Sequence, residues 1–347
     1  MFLIALRDLQ FRLRRFLISV VAVALVLALT LLLAGTAASF DAEVDHTLDQ
    51  TGVTHWVVAT GATGPFFGAT PMTADTIDQV RGISGVQAAD PQSFYPYTFK
   101  TAHGPESITL LGVEPGGIGV PKPDTGRPLQ GDGEALVQPG LGLDLGKTVN
   151  LGNKTVTIVG TLNESTMLGG VANLFITNHD LQDVAYKGAP VITSVAISGT
   201  PSQLPNGLKV VTRSEAHKDL VRPLHSAKDS ISLVSVLLWI VTGCIIGSVI
   251  YLSALERVRD FAVFKAIGIS TRWVLGGLVL QAIVLSVLAS ILAIGLAWLL
   301  KPLLSVPVVL PPGVVALVPV TAVLVSVVGS LAGVRRAVHV DPALAFG

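Results

Sequence analysis

The chain has 347 residues, equal numbers of basic and acidic side chains, and a hydrophobic fraction of 50%. Only 13% of its residues are charged, about half of the ~25% that is usual for soluble domains. This composition argues against a disordered chain and, without a basic surplus, against a nucleic-acid-binding protein. It also disfavours an ordinary soluble enzyme, because so few charges cannot cover a globule of this size. The single cysteine, Cys244, excludes an intramolecular disulfide and a cysteine-rich metal site.

Residues 1–15 predict an amphipathic helix. Apolar residues recur there every three or four positions, at Phe2, Leu6, Leu9 and Leu13, which places them on one side of a helix. Basic residues between them can contact anionic lipid headgroups; they are Arg7, Arg12, Arg14 and Arg15. We therefore expect this segment to lie along the membrane surface.

Four long windows contain no Asp, Glu, Lys, Arg or His: Phe16–Phe40, Ser230–Leu255, Trp273–Leu300 and Pro302–Val334. A bilayer core about 30 Å thick needs roughly 20 residues of helix, and buried helices of soluble proteins rarely run so long without a charge. We predict transmembrane helices at residues 16–40, 230–255, 273–300 and 313–334, the last shortened by prolines. The first window also fits a secretory signal, but a signal core has about 7–15 residues, so an uncleaved anchor is the better interpretation.

Residues 41–229 have a different character and predict a compact α+β domain. Short β-rich runs recur, and several alternate between apolar and polar residues, as strands with one buried face do; they are Val53–Ala59, Ser107–Val113, Lys147–Leu151, Lys154–Gly160, Asn173–Thr177 and Ile192–Ser198. Gly152 and Asn153 form a hairpin-turn pair. Helices are expected at Thr73–Arg81, capped by Thr73, and at Asn178–Tyr186.

The two ends of this domain predict helical stalks. Phe40–Leu48 continues the first span, and Ser214–Ser230 leads into the second, with Pro223 expected to kink or begin that helix. Continuous helices would transmit movement between the domain and the membrane. Plain tethers are the alternative.

The domain shows little that points to chemistry. Its histidines are scattered without a pair at ligand spacing, so no metal is expected. No Ser, His and acid grouping has the context of a nucleophile, so we expect no catalytic residue and no directly bound cofactor. The runs Pro65–Phe67 and Phe94–Tyr97 could contact a ligand or a partner, or could belong to the core.

Residues 256–270 predict a short cytoplasmic helix between the second and third spans. An apolar ridge of Phe261, Phe264 and Ile267 lies beside charged positions, Gly268 suits a helix end, and Ser270 or Thr271 can cap the next helix. A compact element of this kind suits docking to a partner. The residues assigned to it are Glu256, Arg257, Arg259, Asp260, Phe261, Phe264, Lys265 and Gly268.

Basic residues near the span ends predict the orientation. The N-terminal segment, the 256–272 loop and the 335–347 tail are all basic, and four spans put them on one side. By the positive-inside rule this side is cytoplasmic, so we expect both termini on the cytoplasmic side of the plasma membrane and the large domain outside. Small residues in the spans permit close helix packing, most plainly at Gly329 and Gly333, although lipid-facing positions are the alternative.

Three segments carry motifs of a known family. The opening Ala5–Leu9, the pattern E-R-x-R-[DE]-x-x-[VL]-x-K-A-[IL]-G at Glu256–Gly268, and the tail Arg335–Ala345 resemble the MacB/FtsX/LolC–LolE permeases of the type VII ABC transporter superfamily. The region from Gly126 to Gly142 resembles the periplasmic core domain of that family. The resemblance covers the whole architecture and is strongest to actinobacterial members.

The resemblance implies an α-helical membrane protein with four transmembrane helices and one extracytoplasmic α+β domain, on helical stalks, between helices 1 and 2. It also implies a homodimer working with two copies of a cytoplasmic ABC ATPase, which would bind ATP and Mg because this chain has no ATPase motif. Residues 256–268 would be the coupling helix. We expect mechanotransmission that exports or releases a hydrophobic or amphipathic substrate. The alternatives are FtsX-like signalling to an extracellular partner such as a cell-wall hydrolase, and a membrane-anchored receptor or enzyme without an ATPase.

Overall fold

The computed structural model describes residues 13–101, 104–138, 143–163, 165–258, 261, 263, 267, 270–304 and 306–337. The chain divides into two units. Residues 39–226 form one unit, here called the inserted domain. The residues before and after it form the other, here called the membrane unit.

Seven α-helices are described, the four longest being apolar. They are α1 Leu13–Thr51, α2 Thr76–Arg81, α3 Asn178–Tyr186, α4 Arg213–Val221, α5 His225–Leu255, α6 Thr271–Leu300 and α7 Pro312–Ala337. Short 3-10 turns lie at Arg222–Leu224 and Lys301–Leu303.

The thirteen described strands all lie between α1 and α4. They are β1 His55–Ala59, β2 Met72–Thr73, β3 Val86–Thr101, β4 Gly104–Val113, β5 Thr125–Gly126, β6 Glu134–Val137, β7 Thr148–Leu151, β8 Lys154–Thr161, β9 Thr166–Met167, β10 Val171–Thr177, β11 Val191–Ile192, β12 Ser194–Gly199 and β13 Leu208–Thr212.

Four helical stretches are long and apolar enough to cross a membrane: Phe16–Thr51, Arg213–Leu255, Leu275–Leu303 and Pro312–Leu331. The α+β domain follows the first of them and precedes the apolar part of the second. This arrangement confirms the predicted fold class. The sequence explains where two of these helices begin. Helix α7 begins at Pro312, where proline's missing N–H costs no helical hydrogen bond. Helix α6 begins after Ser270, whose backbone is extended.

Small side chains form the core of the membrane unit. Along α6 the residues Ala282, Ala289, Ala293 and Ala297 are fully buried, and their spacings of seven, four and four positions place them on one face. Facing serines on α6 and α7 approach each other, with Ser286 Oγ and Ser326 Oγ 3.4 Å apart. Small residues let helix backbones come close, which is how helices gain contact in a lipid environment.

A mixed sheet forms the inserted domain. Its strand order is β13-β1-β12-β3-β4-β10-β6-β8-β5, with β7 beside β8 and β9 beside β10. Most neighbours are antiparallel, whereas β10–β4 and β6–β8 are parallel. Strands β2 and β11 pair separately.

Both faces of this sheet are covered, because successive strand residues point to opposite sides. Leu111 belongs to one hydrophobic cluster together with Trp56 and Phe175. Its neighbour Leu110 belongs to another, which includes Leu181 of α3. The sheet is therefore the middle of the domain, and α1 and α4 contribute to the first cluster.

Most predicted elements of the domain are found, with several differences. The prediction that Thr73 caps a helix is wrong: Thr73 lies in β2, and α2 begins at Thr76. The run Ile192–Ser198 is split between β11 and β12. Six strands were not predicted: β2, β3, β5, β6, β9 and β13. In β3, the longest of them, the prolines Pro91 and Pro96 and the charges hide the strand pattern. The aromatic runs belong to the core, since Phe66 and Phe94 are buried with ring centroids 5.5 Å apart.

Candidate functional site

The described backbone between α5 and α6 has helical hydrogen bonds. The N–H of Phe261 donates to the carbonyl of Arg257 (2.9 Å), and the N–H of Ile267 donates to that of Val263 (3.1 Å). Both bonds join residues four positions apart, as in an α-helix. The predicted helical character therefore holds at these positions.

The exposed apolar side chains of this segment differ in part from the predicted ridge. Phe261 is partly buried and packs against the hydrophobic core of the membrane unit. Val263 and Ile267 are 53% and 70% exposed. The predicted apolar ridge did not include Val263, because its small aliphatic side chain does not distinguish an exposed position from a buried one. Glu256 is exposed and Arg257 is half-buried. The other predicted positions, Arg259, Asp260, Phe264, Lys265 and Gly268, lie outside the described residues. The coupling role stays a prediction.

The predicted membrane-surface arginines are mostly outside the described part of the chain. Arg7 and Arg12 precede it, and the side chain of Arg15 is also outside it. Arg14 is exposed. Its role at a lipid surface stays a prediction.

Gly329 of α7 packs against α5. A methyl group at Gly329 would lie 2.6 Å from the carbonyl oxygen of Gly243, and one at Gly247 would lie 2.9 Å from that of Gly329. Only glycine fits these positions without a shift of one helix. The surroundings of Gly333 lie outside the described residues.

The end of α1 is part of the core of the inserted domain. Val44 and Leu48 are fully buried in the cluster that contains Trp56 and Phe175. Beside them, Glu43 accepts hydrogen bonds from the backbone N–H groups of Gly169 and Gly170. The end of α1 is therefore a structural element of the domain and is not a plain tether.

Helix α4 is also bound to the inserted domain by apolar burial and by a buried carboxylate. Ala216 and Leu220 are buried in the same cluster. Asp219, fully buried, accepts hydrogen bonds from the backbone N–H groups of Phe66 and Gly68, each 2.8 Å long. Thr212 and Glu215 form a capping box that starts the helix.

Exposed ion pairs connect α4 to α1 directly. Arg213 lies 2.9 Å from Asp49 and 3.7 Å from Asp45, and His217 lies 3.7 Å from Asp45. Pro223 lies in a 3-10 turn, Arg222–Leu224, that leads directly into α5, which agrees with the prediction that it kinks or begins this helix. Both chain connections of the inserted domain are thus helical and in contact with each other.

A buried polar network lies at the start of α3. Asp180 is fully buried; its Oδ1 accepts from Lys154 Nζ at 2.9 Å and its Oδ2 from the N–H of Gly133 at 2.6 Å. Lys154 also lies 2.8 Å from Asp183. The hydrogen bond from Lys154 lowers the pKa of the Asp183 carboxyl, and the two carboxylates raise the pKa of Lys154.

Three atoms that could bind a metal ion, on Asp132, His179 and Asp180, lie within 4.8 Å of one another. The carboxylate oxygens already accept hydrogen bonds: Asp132 from Thr177 and His179, Asp180 from Lys154 and Gly133. The ammonium group of Lys154 supplies the positive charge that a metal ion would otherwise bring. This arrangement suits a structural network better than a metal centre.

Comparison with known proteins decides the family. The family model described as MacB-like periplasmic core domain matches residues 16–219, and that described as FtsX-like permease C-terminal matches residues 232–342. The chain is 45% identical to the uncharacterized ABC transporter permease Rv2563 of Mycobacterium tuberculosis over 343 residues, 99% of this chain and 98% of that protein. It belongs to the FtsX/MacB-type ABC transporter permeases.

The permease is also 43% identical to the uncharacterized ABC transporter permease Rv0072 of Mycobacterium tuberculosis, over 99% of this chain and 98% of that protein. The crystal structure of the periplasmic region of MacB from Actinobacillus actinomycetemcomitans aligns at a TM-score of 0.34 and 12% identity, covering 47% of this chain and 91% of that one. The permease is a multi-pass membrane protein, and its family implies a cytoplasmic ATPase partner.

The membrane unit of the permease carries an apolar groove between α5 and α7, with a volume of about 750 Å³. Its lining includes the small residues Gly243, Cys244 and Gly247 and the aromatic residues Trp239 and Tyr251. Gly243 and Gly329, which form the close contact described above, both belong to the lining. Acyl chains or apolar side chains would fit such a lining.

Proposed function

We propose that this permease transmits movements driven by a separate cytoplasmic ATPase through its membrane helices to the inserted domain. The observation that carries the proposal is α1. It runs unbroken from Leu13 to Thr51, and Val44 and Leu48 near its end are buried in the core of the inserted domain. Because an α-helix is stiff along its axis, a displacement of α1 acts on that core directly.

The partner would dock on the segment between α5 and α6. Val263 and Ile267 are exposed there, and apolar side chains on a short helix can anchor it in a groove of an ATPase. The basic segments fit a cytoplasmic location, which leaves the inserted domain outside the membrane. Two copies of the permease would work with two ATPase subunits, which would bind ATP and Mg.

The substrate class follows from the polarity of the spans. The predicted spans, residues 16–40, 230–255, 273–300 and 313–334, contain no Asp, Glu, Lys, Arg or His. The buried hydroxyls of Ser290 and Ser330 donate to carbonyls of their own helices. A path for a polar solute through the membrane would need such side chains facing it. We therefore propose that the permease exports or releases a hydrophobic or amphipathic substrate by moving its inserted domain.

The test is a distance measurement on the whole complex. The permease with Cys244→Ser receives spin labels at two exposed positions, Gln203 in the inserted domain and Leu299 in α6. It is reconstituted with its ATPase in lipid nanodiscs. The label-to-label distance is measured without nucleotide and with ATP bound to a hydrolysis-deficient ATPase.

A shift of the distance on ATP binding is the expected result. An unchanged distance in a complex that has bound ATP would exclude transmission to the inserted domain. Substitution of Val263 and Ile267 by Ser is expected to abolish both ATPase association and the shift. The matched control is Ser substitution at Leu317 and Leu324, which are equally exposed on α7 and should leave association unchanged.

A further inference from the structure

We propose that Glu43 and Asp219 are the positioning residues that fix α1 and α4 in register with the inserted domain, so that helix movements reach it without slip. This inference rests on the proposed function, because register matters only if the helices move. Each residue is a buried carboxylate on a helical connection of the domain. Each accepts two backbone N–H groups from a single loop of that domain.

The loop that Glu43 holds is the turn between β9 and β10. Glu43 Oε2 lies 3.0 Å from the N of Gly169 and 3.3 Å from the N of Gly170. Both glycines and Leu168 have positive φ angles (80°, 103° and 59°). Successive N–H groups in such a turn point to one side and bind a single anionic oxygen.

The loop that Asp219 holds is Gly64–Gly68. Its two carboxylate oxygens are used separately: Oδ2 accepts from the N–H of Phe66 and Oδ1 from that of Gly68. A methyl group at Gly68 would lie 2.7 Å from Oδ1, and one at Gly64 would collide with the same side chain. The loop therefore approaches α4 as closely as glycine allows.

The hydrogen bonds of the two carboxylates are directional, whereas the apolar contacts of the same helices are not. Burial of Val44, Leu48 and Leu220 holds the helices against the sheet, but hydrophobic contact is non-directional and permits small slides along a helix axis. A hydrogen bond weakens steeply when its distance or angle changes. Two such bonds from one side chain therefore resist both a slide and a rotation of its helix.

The geometry distinguishes the two residues in a way that a general loss of stability does not. Because one oxygen of Glu43 accepts both N–H groups, glutamine at position 43 can accept both through its amide oxygen. Because Asp219 uses both oxygens, asparagine at position 219 would oppose an NH2 group to a backbone N–H. We expect E43Q to keep both hydrogen bonds to the loop and so to hold α1 in register. E43A, D219N and D219A should lose at least one of these bonds and the register of their helix.

The experiment uses the full permease with its ATPase in nanodiscs and the Gln203 and Leu299 labels. E43A, D219N and D219A are expected to lose most of the ATP-driven shift while they still bind the ATPase and hydrolyse ATP, whereas E43Q keeps the shift. Amide hydrogen exchange gives an independent readout: E43A should lose protection at Gly169 and Gly170, and D219N at Phe66 and Gly68. A42S and K218A, at exposed positions on the same helices, are the controls and should change neither readout.

The outcomes separate this inference from the proposed function. If the wild-type complex shows no ATP-driven shift, the proposed function fails. If the wild type shifts and E43A and D219N shift equally, only the positioning role is overturned. Equal loss in E43Q and E43A would also overturn it, because the amide oxygen of glutamine supplies the same acceptor. Unchanged Trp56 fluorescence shows that a variant has folded, since that side chain is fully buried in the inserted domain.

Discussion

The inserted domain and the membrane unit bury polar groups in opposite ways. In the inserted domain, buried carboxylates such as Asp180 and Asp219 are matched by charges or backbone N–H groups from distant parts of the chain. In the membrane unit, the described buried hydroxyls of Ser290 and Ser330 donate to carbonyls one turn back in their own helix. The first solution ties separate elements together, whereas the second satisfies these two hydroxyls within one helix.

Apolar packing differs in the same sense. The largest fully buried side chains of the inserted domain are Trp56 and Phe175, whereas α6 buries alanines at Ala282 and Ala293. Water drives large apolar surfaces together, but lipid tails give helices no such force, so close backbone contact through small residues replaces it. The two solvents thus explain why one chain contains two kinds of core.

The largest expected effect is on the free energy of unfolding, and it follows from removing the positive charge that faces Asp180. K154M would leave a fully buried carboxylate without its ammonium partner, which typically costs about 3–5 kcal/mol of the free energy of unfolding. Unfolding is followed by the fluorescence of Trp56 in a permease whose other three tryptophans are Phe. The control is K147M, which removes an exposed ion pair with Asp144 worth about 0–1 kcal/mol. Equal effects of the two substitutions would contradict the role of the network.

A smaller effect is expected from a single methyl group in the membrane unit. G329A should force α5 and α7 apart, because the new Cβ would lie 2.6 Å from the carbonyl oxygen of Gly243; overpacking of this kind costs about 1–3 kcal/mol. G276A is the matched control, since nothing lies within 4 Å of a Cβ there, and alanine favours a helix by about 1 kcal/mol over glycine. Thermal unfolding in detergent measures both. A G329A protein as stable as G276A would show that the contact is not tight.

The smallest expected effect is a loss of stability of the inserted domain in acid, which the membrane unit should not share. Hydrogen bonds from Arg127 lower the pKa of Glu134, and those from Lys154 lower the pKa of Asp183. Carboxyls with lowered pKa stabilise the folded state above their ordinary values, 4.5 and 3.8, and this stabilisation is lost as the pH falls through the lower folded values. The inserted domain should therefore lose stability below about pH 4.5.

The double variant E134Q/D183N should show a shallower decline in Trp56-monitored stability over the same pH range. Helix α6 contains no carboxylate, so its hydrogen-exchange protection should stay constant there. An equally steep decline in the double variant would mean that other carboxyls govern the acid response.

The amino-acid sequence by itself determined the architecture of this permease. Four uncharged windows, the alternating runs such as Lys154–Gly160, and the Gly152-Asn153 turn act over a few residues, so they can be recognised without the fold. The same locality explains the prediction of α3, whose bounds coincide with Asn178–Tyr186. Strand β3 was missed because its pairing with β4 and β12, rather than its local pattern, makes it a strand.

Only the tertiary structure decided which polar residues act together. Glu43 meets Gly169, Asp219 meets Phe66, and Lys154 meets Asp180 across long separations in sequence. The close contact between Gly243 and Gly329 joins two helices in the same way. Side chains far apart in sequence come within hydrogen-bond distance only when the sheet and the helices have packed. A stretch of sequence contains the local preferences of a chain, whereas the partner of a buried charge is fixed by the fold.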